Sequence, residues 1–264
     1  GAGDRRGLVF CNTRQGARAT WEALRGAVPG LQACLLSGEL AQEDRARALF
    51  LLRQGAVHAA VATDLAARGL DLEGLDFVVN AELPPAWDAV SFVHRAGRTG
   101  RAEAPGECVS VCATQAEVDV VRGWAEAAGR PLEVAGPAGD GGPQGALASP
   151  AWAALLIAAG RRDKVSKADV LGALVHLAGV DARSVGHIQV TAREALVGLP
   201  IGEARRACDL LRAGKIKKAR RAVRVLRPEA LARPNRRPGE GAGAGAGPGA
   251  RHAPTRSRPR PAKS

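Results

Sequence analysis

The chain has 264 residues, 46% of them hydrophobic, which is enough for about two domains with a real core. Its net charge of +12 is uneven: residues 1–135 carry −3 (14 Arg and no Lys against 17 acidic residues), residues 136–227 carry +9 and residues 228–264 carry +6. The basic half is therefore expected to meet nucleic acid or another polyanion. The longest apolar run, at 151–159, is too short to cross a membrane, so no membrane partner is expected.

Short apolar runs alternate with helical segments through the first 135 residues. Strands are predicted at 8–11, 31–36, 57–62, 77–79 and 108–112, and helices at 14–24, 41–53, 86–94 and 115–127. Because most of these strands are continuous apolar runs, the pattern predicts an α/β domain with a buried parallel sheet. In the helix at 86–94, we expect Trp87, Val90 and Val93 or His94 to form the apolar stripe.

The five cysteines include no Cys-x-x-Cys pair. Neither zinc-ligand spacing nor a disulfide framework is present, which predicts a cytoplasmic protein with no metal site of its own. Cys108 and Cys112 lie an even distance apart in an apolar run, so both are expected on one face of a strand.

A glycine- and proline-rich linker at 136–148 is predicted to separate the first domain, residues 1–135, from a second domain at 149–227. The second domain shows strands at 151–159, 185–190, 195–199 and 222–226, with helices at 167–177 and 201–211. This βαββαβ order predicts a small α+β fold. Residues 228–264 are rich in Pro, Gly, Ala and Arg and are expected to form a disordered basic tail.

Eight basic residues and no acidic residue lie between positions 210 and 227. This run predicts contact with RNA phosphates, and the alternative is a charged face that only improves solubility. Trp152 is the one aromatic residue of the second domain, so binding should depend on phosphate contacts and shape rather than on base stacking. The candidate RNA-binding residues in the run are Lys215, Lys217, Lys218, Arg220 and Arg221.

Three arginines at a spacing of three, Arg95, Arg98 and Arg101, stand out in the first domain. On a regular helix they would repel one another, and the glycines between them weaken a helix. Arginine presents a rigid fork of donors that matches phosphate oxygens, so a polyanion explains the cluster. A solvated basic turn is the alternative.

Four segments of the first domain resemble motifs of the DEAD-box RNA helicases. Residues 9–13 resemble motif IV, residues 36–45 the Gln-x-x-Arg motif, residues 62–71 motif V and residues 94–101 motif VI, all in the order of the second RecA-like lobe. The second domain resembles the RRM-like RNA-binding domain of bacterial DbpA-type helicases, on the segments 160–164, 169–174 and 214–217. The resemblance covers residues 1 to about 227.

The resemblance implies roles in ATP chemistry for five residues. Arg98 and Arg101 resemble the arginine fingers that reach the γ-phosphate of ATP, where negative charge develops during phosphoryl transfer. Gly69 and Asp71 look like nucleotide contacts. His94 resembles the residue that links the ATP and RNA sites.

The same resemblance implies that Thr13, Arg45 and Thr63 contact the sugar-phosphate backbone of RNA, where contacts position RNA without reading its sequence. The alternatives are structural, since both threonines could be helix caps and Arg45 a surface residue of its helix.

The implied cofactor is ATP with Mg²⁺, bound mainly by an N-terminal RecA-like lobe. Neither a Gly-x-x-x-x-Gly-Lys-[Ser/Thr] loop nor an Asp-Glu-Ala-Asp sequence occurs in this chain, so it should be inactive alone and need that lobe as a partner. The implied whole is an ATP-dependent helicase acting on large-subunit ribosomal RNA, of which this chain is a fragment or a truncated product. The alternative is a non-enzymatic RNA-binding module with an incomplete helicase lobe. A third interpretation is a nucleotide-binding α/β protein with a basic tail.

Overall fold

The computed structural model describes residues 5–67, 72, 74–100, 106–136 and 146–231. Within these residues the first domain contains a parallel sheet in the order β2-β3-β1-β4-β5. Its strands are β1 (Gly7–Cys11), β2 (Ala33–Leu36), β3 (Ala59–Thr63), β4 (Phe77–Asn80) and β5 (Glu107–Ser110). The three central strands are almost wholly apolar because helices cover both faces of the sheet.

The helices of the first domain are α1 (Arg14–Ala27), α2 (Gln42–Gln54), α3 (Asp64–Ala67), α4 (Ala89–Ala96) and α5 (Gln115–Ala127). Local chemistry sets several of their ends. Thr114 and Glu117 form a reciprocal capping box at the start of α5. Gly55 ends α2 with a left-handed backbone (φ 72°), which glycine adopts without steric cost.

The second domain is an antiparallel sheet in the order β7-β8-β6-β9. Its elements follow the predicted βαββαβ order: β6 (Trp152–Ile157), α6 (Lys167–His176), β7 (Ile188–Val190), β8 (Ala195–Pro200), α7 (Ile201–Ala213) and β9 (Val223–Val225). The predicted fold class, a RecA-like parallel-sheet lobe followed by a small α+β domain, is confirmed.

The predicted apolar stripe of α4 is wrong. Asp88 caps the helix by accepting from the Ser91 backbone N–H, so the helix begins at Ala89. With the helix beginning at Ala89, Phe92, Arg95 and Ala96 lie on its buried face. Trp87 lies before the helix, with 84% of its surface exposed. Val90 and Val93 are also exposed.

Two further expectations differ from the structure. Cys108 lies in β5 against the core of the first domain, but Cys112 lies beyond the strand and packs near Phe92 and Trp124, so the two do not share one strand face. Residues 228–231, assigned by composition to the tail, form a 3₁₀ helix in which Leu231 is buried. One large apolar residue was enough to order this turn, because it enters a core that already exists.

None of the helices in the described ranges is both long and apolar enough to span a bilayer.

Candidate functional site

Arg95 is a buried side chain that ties several strand ends together. Its guanidinium donates to both carboxylate oxygens of Asp64, at 2.8 and 2.5 Å. It also donates to the side-chain oxygens of Asn80 (3.2 Å) and Asn12 (2.9 Å) and to the backbone oxygen of Glu82 (2.7 Å). Only 1% of the residue is exposed, so this arginine holds the ends of β1, β3 and β4 against α4. The predicted cluster of three equivalent arginines is therefore wrong for Arg95, which is structural.

With Arg95 fixed inward, α4 presents other residues to a pocket at the carboxyl ends of the strands. His94 is exposed, and Arg98 follows directly after the helix. Both line the pocket with Phe10, Asp64, Ala67, Ser91 and Arg95. The charge of the Asp64 carboxylate is balanced by Arg95, and His94 and Arg98 add an imidazole and a guanidinium to the lining of the pocket. This donor set fits phosphate oxygens and does not fit a metal ion.

Three predicted residues of this region, Gly69, Asp71 and Arg101, lie outside the described residues. Across the described part of the chain, no group of three or more His, Cys, Asp or Glu side chains could hold a metal ion.

The residues predicted to touch RNA in the first domain have structural contacts. Thr13 is exposed and caps α1, its hydroxyl oxygen accepting from the Gly16 N–H at 2.9 Å. Thr63 ends β3 and is only 7% exposed, which leaves little of its side chain for a ligand. Arg45 donates to the backbone oxygen of Ala66 at 2.7 Å and so fastens α2 to α3.

One hairpin turn of the second domain carries a cluster of basic residues. Ile216 and Ala219 pair across Lys217 and Lys218, whose backbones are both left-handed (φ 46° and 70°). Two such residues in succession are usual in tight hairpin turns, but the positions normally hold Asn and Gly. A left-handed lysine costs about 1 kcal/mol or more, so stability does not explain this choice. Both side chains are exposed.

Acidic residues from α6 and the turn before it contact this basic run. Lys217 Nζ lies 3.1 Å from Asp169, and Arg221 lies 2.8 Å from Asp163 with only 20% of its side chain exposed. The prediction of an uncompensated charge run is therefore wrong at these two positions, because the acids are 48 and 58 residues away in sequence. Arg221 fastens the run to the domain.

These ion pairs also show which basic residues the sequence reasoning missed. Asp163 adjoins Arg162 and Lys164, and Asp169 follows Lys167, so the contacts bring a second basic segment next to the hairpin turn. The segment 160–164 was noticed only as a family resemblance, although its basic residues were the available signal. We call the exposed set the basic surface: Arg161, Arg162, Lys164, Lys167, Lys215, Lys217, Lys218 and Arg220.

Hydrogen bonds hold the two acids of this region in their charged form. The Ser166 hydroxyl and backbone N–H, followed by Lys217, lower the pKa of Asp169 to about 2. The Gly160 N–H, followed by Arg221, lowers the pKa of Asp163. Both carboxylates therefore stay charged further into the acid range than an ordinary aspartate does.

Comparison with known proteins assigns both domains. Residues 2–103 match the helicase conserved C-terminal domain, and residues 154–225 match the DbpA RNA binding domain. The chain is 36% identical over 222 residues to the ATP-dependent RNA helicase DbpA of Escherichia coli, covering 83% of this chain and 47% of that protein. It is 43% identical over 105 residues to the ATP-dependent RNA helicase SrmB of Haemophilus influenzae, covering 40% of this chain and 23% of that protein.

Among solved structures, a DEAD box protein from Methanococcus jannaschii is similar over 49% of this chain and 34% of its own, with 32% identity and a TM-score of 0.42. The chain thus spans about half the length, or less, of the curated relatives it matches. A helicase C-terminal domain followed by a DbpA RNA binding domain, with 36% identity to a DbpA helicase over most of the chain, gives this chain the domain order of the C-terminal half of a DbpA-type DEAD-box helicase.

Proposed function

We propose that this chain supplies the second RecA-like lobe and the RNA-recruiting domain of an ATP-dependent RNA helicase. The observation that carries the proposal is the pocket lined by His94 and Arg98, which Arg95 and Asp64 hold at the carboxyl ends of the strands. ATP would lie between this pocket and an N-terminal RecA-like lobe, which would hold most of the nucleotide.

Arg98 would act on the phosphates, with Arg101 as its expected companion. Phosphoryl transfer spreads negative charge over the transferred oxygens, and a positioned guanidinium stabilises that charge. Gly69 and Asp71 are proposed to contact the nucleoside, and His94 to relate the ATP and RNA sites. Mg²⁺, when bound, neutralises charge on the phosphate oxygens, and we expect its ligands on the N-terminal lobe.

RNA would be engaged in two places. Thr13 and Arg45, with the buried Thr63 at one side, are proposed to line the path of an RNA backbone over the first domain. The basic surface would bind a structured hairpin of large-subunit ribosomal RNA through phosphates and shape, and the protein would act in the cytoplasm during assembly of that subunit. We propose residues 1–135 as the lobe, 136–148 as the linker, 149–227 as the RNA-binding domain and 228–264 as the tail, whose first residues, 228–231, pack against the lobe.

The test is phosphate release, measured with the chain alone and with the chain joined to an N-terminal lobe of this family. The chain alone should show no RNA-stimulated ATP hydrolysis, because it lacks the phosphate-binding loop. The joined protein should hydrolyse ATP in response to RNA, and Arg98→Ala should lower turnover by roughly 10³-fold or more while RNA affinity stays the same. Wild-type turnover in the Arg98→Ala protein would contradict the assignment.

A further inference from the structure

The sheet of the second domain is buried on both faces. On one face, Leu155, Ile157 and Val197 pack with α6 and α7 in the core of that domain. On the other face, Ala154, Leu156 and Leu196 belong to the same buried cluster as residues of α2. The sheet face that could otherwise stack bases is therefore closed by the first domain.

Polar contacts specify how the two domains meet. Arg47 of α2 donates from Nε to Glu194 Oε1 at 3.0 Å and from Nη2 to Glu194 Oε2, a two-bond fork. Glu194 is 6% exposed, and Arg47 also pairs with Asp44. A buried carboxylate without its partner is energetically costly. The bidentate pair of Arg47 with Glu194 therefore favours one relative position of the two domains over others.

Gln54, at the end of α2, fits into the second domain. It is 7% exposed, and its Oε1 accepts from the His187 backbone N–H at 2.9 Å. A Cβ at Gly198 would lie 2.1 Å from Gln54 Cδ, and one at Gly186 would lie 2.5 Å from its Nε2. These two glycines leave the space that the Gln54 amide occupies.

The chain is also fastened to the first domain at both ends of the second. Before it, the Leu147 N–H donates to Pro29 O at 2.9 Å, and His58 Nε2 lies 3.0 Å from Ala148 O. After it, Leu231 enters the core shared with β2 and α2, and Glu229 lies 3.5 Å from Arg25. The second domain is thus held at its sheet, its entry and its exit.

We propose that Arg47, Gln54 and Glu194 are positioning residues that lock the RNA-binding domain onto the lobe in one orientation, so that RNA on the basic surface lies at a fixed place relative to the ATP pocket. The lock itself follows from the interface, and its link to RNA and ATP rests on the proposed function. RNA held by the basic surface would then move with the lobe as one body when the two lobes close.

Nuclear magnetic relaxation of backbone ¹⁵N nuclei in the whole chain tests the lock without RNA or ATP. Both domains should share one rotational correlation time in the wild type. In Arg47→Glu the two correlation times should differ, with the smaller second domain tumbling faster. The introduced carboxylate, together with Asp44, would repel Glu194. The double variant Arg47→Glu/Glu194→Arg should restore the shared value. Arg53→Glu, the same charge change on the exposed part of α2, is the matched control and should leave it unchanged.

Gln54→Ala provides a second, milder variant, and it should loosen the interface without reversing a charge. Independent tumbling in the wild type, or a shared correlation time retained by both Arg47→Glu and Gln54→Ala, would overturn the proposal. So would failure of the double variant to recover while each domain keeps its dispersed amide spectrum.

A separate titration with a fluorescent RNA hairpin distinguishes this proposal from the proposed function. Arg47→Glu leaves the basic surface intact, so its affinity for the hairpin should match the wild type. Absence of RNA binding by every variant would refute the proposed function, and the relaxation data would still decide whether the domains are locked.

Discussion

The two domains use basic side chains in opposite ways. In the first domain Arg95 is buried and its charge is neutralised by Asp64. Its N–H groups donate hydrogen bonds to residues at the ends of three strands. In the second domain Lys217 and Lys218 are exposed on a left-handed turn that costs free energy to form. Both Arg95 and Lys217 have an acid within reach, so the difference between them is burial: Arg95 is 1% exposed, whereas 40% of the Lys217 side chain is exposed and open to a ligand.

The largest effect that separates these roles should come from Arg95→Ala. Its removal leaves the buried Asn80 and the partly buried Asp64 without their shared donor, and Asn12 loses the same partner. We expect the first domain to lose about 3–5 kcal/mol of its free energy of unfolding, measured by urea denaturation. Arg95→Lys should also be destabilising, because an ammonium cannot reproduce the planar fork. If the unfolding midpoint stayed at its wild-type value, Arg95 would not be the structural centre described here.

A smaller effect, with the opposite sign, is expected at Lys218. Glycine adopts φ near 70° without strain, so Lys218→Gly should raise the free energy of unfolding of the second domain by about 0.5–1 kcal/mol. The same change should weaken RNA binding, because one exposed charge is lost. Lys215→Gly, at a position without a positive φ, is the control and should not stabilise. A destabilised Lys218→Gly domain would show that the left-handed turn carries no strain.

The smallest expected effect concerns pH. The pKa of Asp169 is lowered from 3.8 to about 2, so its contribution to stability is complete above pH 4 and is lost as the pH falls toward 2. Thermal melts of the whole chain across this range should show the loss in the second domain, and Asp169→Asn should lack that component. Identical pH dependence in the two proteins would contradict the role assigned to the hydrogen bonds from Ser166 and Lys217.

Sequence reasoning predicted what depends on local pattern and failed where distant residues meet. The parallel sheet followed from continuous apolar runs, and the βαββαβ order from alternating segments. The pairing of Arg95 with Asp64 spans 31 residues and left no local sign. The predicted start of α4 was wrong because Asp88 was not recognised as its cap. The apolar stripe was therefore assigned to the wrong face of the helix.

The closed sheet face did leave a signal that was not used. β6 reads Trp-Ala-Ala-Leu-Leu-Ile without a polar residue, and an antiparallel strand with one open face would alternate. The sequence therefore indicated that both faces are covered. It could not indicate by what, since the contacts of Arg47 with Glu194 and of Gln54 with His187 span 147 and 133 residues.

The most direct test of the central claim is the salt dependence of RNA binding by the whole chain. Charge on the basic surface should give a steep fall of the logarithm of affinity with the logarithm of salt concentration. The triple variant Lys215→Ala/Lys218→Ala/Arg220→Ala should flatten the slope by about 2–3 units, at just under one unit per phosphate contact. Arg221→Ala, which removes an arginine paired with Asp163, should destabilise the domain and change the slope much less. A slope equal in the wild type and the triple variant would contradict the account.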